Sequence, residues 1–313
     1  LFTCALVSCL VGLNISAALK SAVTIYILIP LLLVPQIMLG GAVVPYDELT
    51  WRDADQRHAP LVAELMPSRW GYEALVMAQF TGNRYHAPLL ADDCAVRQAD
   101  YLTDRHIYEL RGLADYPFLA EEGPARAAGV ARALSILRGE LPRLARLTGL
   151  EPPDFLDQLT PIAYGRPAQT RVKDLLDRAE KAIRARRQAA AQRLDQVEAA
   201  RVEKLGRAGL SAFKTRHQNR ELVKLALNQQ TLEDYRLGRT RVVQVTLPAC
   251  QEPENPWGRA QFLAAHKRLG DWRLATPAFD LGVLGLMGLA AYAALHLAWL
   301  PRLLAILSTM GGS

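Results

Sequence analysis

Six histidines are the side chains best suited to metal binding or proton transfer, and they occur singly, at His58, His86, His106, His217, His266 and His296. None has a second histidine at the spacing that places two ligands on one helix face. The sequence also lacks H-E-x-x-H, C-x-x-C and G-x-S-x-G motifs, and without a Gly-Lys dipeptide it has no phosphate-binding P-loop. We therefore predict no catalytic residue, metal site or cofactor site within this chain.

The charged residues that such sites would use are confined to the middle of the chain. Of the 37 Lys and Arg and 31 Asp and Glu residues, only Lys20 and Arg302 lie outside residues 47–280. A soluble domain needs charge over its whole surface, so neither end of this chain has an ordinary soluble surface. This distribution excludes a simple cytosolic protein.

Three uncharged runs have the length that a membrane-spanning helix needs, which is about 20 residues. They are Leu1–Leu19, Ser21–Tyr46 and Leu281–Pro301. Pro30 and Pro35 in the second run would weaken an exposed helix, but a membrane bundle tolerates them. A signal peptide fits the first run poorly, because no basic segment precedes it and a second apolar run follows. The pattern predicts three transmembrane helices.

The two isolated basic residues predict the orientation. Basic residues in short loops mark the cytoplasmic side, whereas long translocated domains are exempt from that rule. Lys20 and Arg302 are therefore expected inside, with residues 47–280 on the extracytoplasmic side of the inner (plasma) membrane. Trp272 and Trp299 flank the third run, where interfacial tryptophans are common.

The middle of the chain is predicted to be mainly helical. Apolar residues recur at helical spacing over residues 123–147, over 168–208 and again over 211–232. The segment 241–247 is rich in β-branched residues and ends before a proline, which predicts a strand. The fold class is therefore an all-α membrane protein with three transmembrane helices of a larger bundle and a large, mainly helical extracytoplasmic domain with a minor β element.

The basic sequence pI of about 9.2 raises the question of nucleic-acid binding. Arg184, Arg186 and Arg187 are the candidate patch, but acidic residues are interleaved with the basic ones and few aromatic residues accompany them. Nucleic-acid surfaces normally carry one sign of charge along a stripe. We predict a hydrated helix face and no nucleic-acid partner.

The four cysteines separate by position. Cys4 and Cys9 lie in the first apolar run and suit apolar packing. Cys94 and Cys250 lie in the predicted extracytoplasmic region, where an oxidising compartment would allow a disulfide between them. Two buried free thiols are the alternative.

Three polar residues lie inside the apolar runs, at Asn14, Gln36 and His296. Polar side chains in a membrane avoid hydrocarbon and point into the bundle or a cavity. They could line a transport path, or they could hold the bundle together through interhelical hydrogen bonds.

The order of several segments resembles the C-terminal half of the membrane domain of G-subfamily (White-like) ABC exporters. Leu31–Leu49 ends an apolar span in a Gly40–Gly41 turn, and Met66–Phe80 follows with an Arg-aromatic-x-x-Glu-Ala-Leu pattern. The residues of that pattern here are Arg69, Trp70, Tyr72, Glu73, Ala74 and Leu75. Residues 219–228 and 258–270 are similar to bacterial members that carry an enlarged outer domain.

The resemblance implies that Met66–Phe80 is a re-entrant helix in the outer leaflet, and Arg69 and Glu73 are expected to pair on its wetter side. It also implies that Leu1 is an internal position of a longer protein. A nucleotide-binding domain, upstream in the same chain or on a subunit, would bind ATP and Mg²⁺. Two halves would form a homo- or heterodimer that exports a substrate through the bilayer.

The predicted domain plan has four parts. Residues 1–46 are two transmembrane helices, 47–80 an outer loop with the re-entrant helix, 81–278 the extracytoplasmic domain, and 279–313 the last transmembrane helix and cytoplasmic end. The predicted function is the permease portion of an ATP-driven exporter. The alternatives are a membrane-anchored scaffold whose outer helical domain docks an envelope partner, and a channel or secondary transporter.

Overall fold

Helices form most of the computed structural model, which describes residues 1–19, 21–44, 46, 59–123, 125–299 and 301–302. The predicted Lys20 loop, residues 47–58 and residues 303–313 lie outside that part. The chain divides into two units. The first consists of Leu1–Trp51, His58–Gln79 and Glu252–Ser313, and the second of Arg52–Arg57 and Phe80–Gln251.

The first unit contains three apolar helices, α1 (Phe2–Ala18), α2 (Ala22–Met38) and, after the return of the chain, α10 (Thr276–His296). α1 packs on α10, where Gly288 leaves room for Val7. Within the described residues, α10 alone is long and apolar enough to cross a membrane. α1 and α2 have 17 residues each, about 25 Å of helix against a hydrocarbon core of about 30 Å. That all three helices span the membrane stays a prediction.

The first unit also contains a short helix, α3 (Leu61–Glu64), and the predicted re-entrant segment, which forms helix α4 (Pro67–Thr81). Strands β3 (His266–Leu269) and β4 (Trp272–Ala275) form an antiparallel hairpin directly before α10. Gly270 in its tight turn has a φ of +60°, a conformation that favours glycine. This hairpin has no counterpart in the sequence predictions.

The compact units of the structure are bounded differently from the parts of the predicted domain plan. Residues 252–278, which the plan assigns to the extracytoplasmic domain, group with the first unit, and the side of the membrane on which they lie stays a prediction. The physical reason is that this segment is anchored there by buried side chains. Phe262 contacts Tyr46 at 4.7 Å between ring centroids, and Lys267 bonds to α4 and α10.

The second unit is a helical bundle. Its helices are α5 (Leu90–Tyr101), a π-helical turn (Leu102–Ile107), α6 (Tyr108–Leu119), α7 (Arg126–Thr148), α8 (Arg166–His217) and α9 (Arg220–Ala226). Single 3₁₀ turns occur at Leu156–Gln158 and Pro248–Cys250. The core lies where the apolar faces of these helices meet, and its fully buried members include Ile107, Leu110, Ile136, Leu137, Leu141, Val172 and Leu176.

Three of the predicted elements of the second unit are shorter or interrupted. The long helix α8 is broken at Gly206, which has a φ of +68°. The helix expected over residues 211–232 is two pieces, because α8 ends at His217 and Asn219 caps α9 by accepting a hydrogen bond from the Leu222 amide at 3.1 Å. The predicted strand is reduced to β2 (Val242–Gln244), which pairs with β1 (Tyr235–Leu237).

Candidate functional site

Four charged side chains meet in the interior of the first unit. Arg69 and Glu73 come from α4, Lys267 from β3 and Asp280 from α10. Lys267 Nζ lies 2.7 Å from Glu73 Oε2 and 2.5 Å from Asp280 Oδ1, and Arg69 Nη2 lies 3.4 Å from Glu73 Oε2. Lys267, Glu73 and Asp280 are fully buried, and Arg69 is 2% exposed. We call these four residues the charged cluster.

Local structure explains how the cluster is assembled. Residues four apart on a helix share a face, so Arg69 and Glu73 are neighbours on α4. Side chains alternate along a strand, and Lys267 is the inward-pointing residue of β3 between half-buried His266 and Arg268. Asp280 lies one turn into α10 and faces the same space.

The structure corrects the predicted side of α4. Arg69 and Glu73 pair as expected, but on the buried face of the helix and not on its wetter side. The same face carries Trp70, Met77 and Phe80, while Leu75 is 37% exposed. The prediction fails because it assigns charge to the solvent side, whereas the partners that neutralise this pair come from the far end of the chain.

Sequence reasoning missed Lys267 and Asp280. Asp280 is the last acidic residue before the third apolar run, and it was counted with the hydrated outer region. Its position in the first turns of an apolar helix could have indicated a buried partner, since an acidic residue there must be paired or must face a polar cavity. Lys267 had no such signal, because it lies among other basic residues in a segment of irregular pattern.

The cluster is electrically balanced, with two cations and two carboxylates. Glu73 also accepts a hydrogen bond from the Leu263 amide through Oε1, at 3.0 Å. Buried ion pairs need such extra hydrogen bonds, because their desolvation offsets much of their attraction. Within the cluster itself, three buried side-chain atoms have no hydrogen-bond partner, namely Arg69 Nε, Arg69 Nη1 and Asp280 Oδ2. Lys267 is therefore ion-paired with both carboxylates, whereas Arg69 and Asp280 keep buried polar atoms without a hydrogen bond.

Aromatic rings enclose the cations. The Arg69 guanidinium carbon lies 3.9 Å from the centroid of the Trp70 ring, and Lys267 Nζ lies 4.6 Å from the same ring and 5.4 Å from Phe279. Ring faces attract cations, more so when water is excluded. The Trp70 indole donates its own hydrogen bond to the Glu64 carbonyl at 2.8 Å. Trp70 therefore completes the shell of the cluster and fixes the start of α4.

Tyr72 lies in a second aromatic contact beside the cluster. Its ring stacks on Phe262 with the centroids 6.2 Å apart. Phe262 also covers Gly41, whose φ is +77° and where an added Cβ would lie 2.5 Å from the ring. The turn at the end of α2 therefore needs glycine for both its conformation and its packing.

The three polar residues of the apolar runs do not meet. Asn14 is buried and donates a hydrogen bond of 2.8 Å to the Ala291 carbonyl, which joins α1 to α10. Gln36 is half-buried, and its main-chain carbonyl accepts a hydrogen bond from the Ser68 hydroxyl at 2.8 Å. His296 is exposed and stacks near Tyr292. For Asn14 this geometry favours interhelical adhesion over a transport path.

The two cysteines predicted to form a disulfide, and two further buried or shifted ionisable residues, belong to the second unit. Cys94 and Cys250 form a disulfide there. His106 is buried, with Nε2 3.5 Å from Glu140 Oε2. Burial, followed by the hydrogen bond to the Glu109 carboxylate, raises the pKa of Tyr235 to about 12. Among described residues, no group of three His, Cys, Asp or Glu side chains could hold a metal ion.

The chemistry available to the charged cluster is electrostatic. Its carboxylates are held by an ammonium and a guanidinium, so it offers charge pairing between α4, β3 and α10. Each of these elements is thereby fixed in position relative to the other two.

Residues 1–80 match the family model described as ABC-2 type transporter. The matched region contains Arg69, Trp70, Tyr72 and Glu73, and it covers about a quarter of the chain. No curated protein and no solved structure matches the chain. The match is to a membrane domain of a transport family, so it supports a membrane location and a permease role for this region.

Proposed function

We propose that this chain is the permease portion of an ATP-driven exporter of the G-subfamily type, with an enlarged extracytoplasmic domain. The match of residues 1–80 to ABC-2 type transporters carries the proposal. It is supported by α10, which can cross a bilayer, and by the apolar surfaces that α1 and α2 expose. ATP and Mg²⁺ would bind a separate ATPase component, and two permease halves would form a homo- or heterodimer.

In this proposal α4 is the re-entrant helix, and its place in the bilayer depends on the charged cluster. An unpaired charge within the membrane is costly, so Arg69 and Glu73 could lie there only while Lys267 and Asp280 neutralise them. The pairing supports a rigid joint between α4 and the last apolar helix. Movement of one would then displace the other.

The test measures ATP hydrolysis that depends on this chain. The full-length protein is purified with its ATPase component, reconstituted in liposomes and assayed with and without vanadate. Glu73→Ala and Arg69→Ala should lower the vanadate-sensitive rate or the yield of assembled complex roughly threefold or more, since Glu73 links α4 to α10 through Lys267 and Arg69 neutralises Glu73. Glu73→Gln keeps the shape of the side chain and separates loss of charge from loss of packing.

Arg184→Ala and Arg187→Ala are the matched controls, because both residues lie on the exposed side of α8. They should leave the rate near that of the unaltered protein. If no ATPase component co-purifies and no hydrolysis depends on the chain, the exporter proposal is refuted and the scaffold alternative gains support. Equal, negligible effects of all four alanine substitutions would refute the role of α4.

We also propose that the second unit is extracytoplasmic in the inner membrane. The Cys94–Cys250 disulfide supports this side, because disulfides persist in oxidising compartments. A single cysteine introduced at exposed Leu232 should react with a membrane-impermeant maleimide in spheroplasts, and one introduced at Arg302 should react only after lysis. The reverse result would invert the topology.

A further inference from the structure

Three large apolar side chains are exposed together at the end of the β3–β4 hairpin. Trp257 is 81% exposed, Leu269 46% and Trp272 72%. Leu269 pairs with Trp272 across the hairpin, and Trp257 forms a bridge to Leu269 from the other side of β3. We call these three residues the hairpin tip.

The register places the hairpin tip on one face. Residues directly opposite each other in antiparallel pairs point to the same side of the sheet, a few ångströms apart. Trp257, Leu269 and Trp272 therefore form one row across three chain segments. Isolated exposed apolar residues are normal, but a contiguous row with two tryptophans indicates a binding surface.

The opposite face of the hairpin is basic. Arg268 and Arg273 are paired across the strands, and alternation turns them away from Leu269 and Trp272. Arg273 bonds to Glu252 at 2.9 Å and contacts His266 Nδ1 at 3.2 Å. A surface with aromatic residues on one face and arginines on the other suits the boundary between lipid headgroups and acyl chains.

The position of the hairpin next to α10 indicates that the hairpin tip contacts the lipid bilayer. β4 ends at Ala275 and α10 begins at Thr276, so Trp272 lies within about 13 Å of the start of a helix that can cross the bilayer. α10 continues the exposed apolar surface with Leu281, Leu286 and Leu289. The base of the hairpin is fixed by Lys267, which leaves the tip to project at one end.

We propose that the hairpin tip lies in the interfacial layer of the bilayer and contacts phospholipid headgroups and the first acyl carbons. It would hold the end of α10 at a set depth, as tryptophan belts do. The proposal depends on the hairpin and α10 alone. It therefore stands or falls separately from the exporter proposal, whatever substrate or ATPase the chain uses.

The test is tryptophan quenching by brominated phosphatidylcholine. The chain has five tryptophans, and single-tryptophan variants of the full-length protein are made by replacing the other four, and any tryptophan outside these 313 residues, with Phe. In nanodiscs with bromine near the headgroup, the Trp272-only and Trp257-only variants should lose roughly half of their emission. Bromine near the chain ends should quench them less, and aqueous iodide should quench them only weakly.

A Trp70-only variant is the matched control, because Trp70 is 7% exposed and enclosed by protein; neither quencher should affect it. If the single-tryptophan variants do not fold, Trp257→Phe with Trp272→Phe in the otherwise unaltered chain must remove a large share of the shallow-bromine quenching. Strong iodide quenching of Trp272 without lipid quenching would overturn the proposal. Protection from both quenchers would also overturn it and would indicate a protein contact, such as a second copy of the chain.

Discussion

Lys267→Met should destabilise the protein strongly although it nearly preserves the length of the side chain. The ammonium group is fully buried and lies 2.7 Å from Glu73 and 2.5 Å from Asp280. Removing one partner of a buried ion pair costs about 3–5 kcal/mol, because the remaining charge is uncompensated. Arg69 pairs with Glu73, so Asp280 would keep no cation at ion-pair distance in the described part of the chain. We expect the upper part of that range.

The measurement is thermal unfolding of the full-length protein in detergent, followed by its loss from the monodisperse size-exclusion peak. One kcal/mol shifts Tm by roughly 2–4 °C in a domain of 150–250 residues, so a loss of about 4–5 kcal/mol should lower the Tm of Lys267→Met by roughly 8–20 °C. Lys224→Met is the matched control. Its ammonium pairs with Glu221 at 2.9 Å on the exposed surface, where an ion pair contributes about 0–1 kcal/mol.

A double substitution separates charge from packing. Lys267→Met with Asp280→Leu removes a neutral pair and leaves Arg69 with Glu73. Replacing a buried ion pair by apolar groups is often nearly neutral, so the double variant should recover part of the loss, with a coupling of about 0.5–3 kcal/mol. If Lys267→Met melts with the unaltered protein, or if the two single losses simply add, the cluster is not a coupled buried network and the reasoning is refuted.

Three further predictions concern other parts of the molecule. Cys94→Ser with Cys250→Ser should cost roughly 2–5 kcal/mol of stability, and full alkylation of both thiols without reductant would contradict the disulfide. Asn14→Leu should lower Tm by the equivalent of about 1 kcal/mol through its lost bond to α10, whereas His296→Leu at an exposed position should not. Because the folded-state pKa of Tyr235 is raised from 10.0 to about 12, its stabilising contribution is complete below pH 10 and is lost as the pH rises through 12. In thermal melts between pH 9 and 12, Tyr235→Phe should reduce the fall of Tm with rising pH. An unchanged dependence of Tm on pH would refute the raised pKa of Tyr235.

Periodic elements were predictable from the sequence because their signal is local. The apolar spacing over residues 123–147 predicts a helix, and α7 occupies Arg126–Thr148. The Arg-aromatic-x-x-Glu-Ala-Leu segment likewise becomes α4, one residue away from its expected bounds. In both cases the residues that decide the structure lie within one or two turns of each other.

Long-range pairing was not predictable in the same way. The hairpin at residues 266–275 was missed because its strands have four residues each and its inward residue is a lysine, not an apolar side chain. Lys267 can occupy that position only because Glu73 lies 194 residues earlier in the chain and Asp280 lies on the next helix. No local pattern carries this information, and the burial of Arg69 and Glu73 was misjudged for the same reason.

The charged cluster makes the fold of the matched region depend on the other end of the chain. The family match ends at residue 80, but Glu73 inside it is held by Lys267 and by the Leu263 amide. A disulfide joins the two ends of the intervening second unit. Cys94 lies near its start, and Cys250 lies directly before the chain returns to the first unit. Loop-closure entropy grows only slowly with length, so a large insertion between two such anchors costs the first unit little. The second unit can therefore be inserted without disturbing the first, provided that residues 252–280 return to complete the cluster.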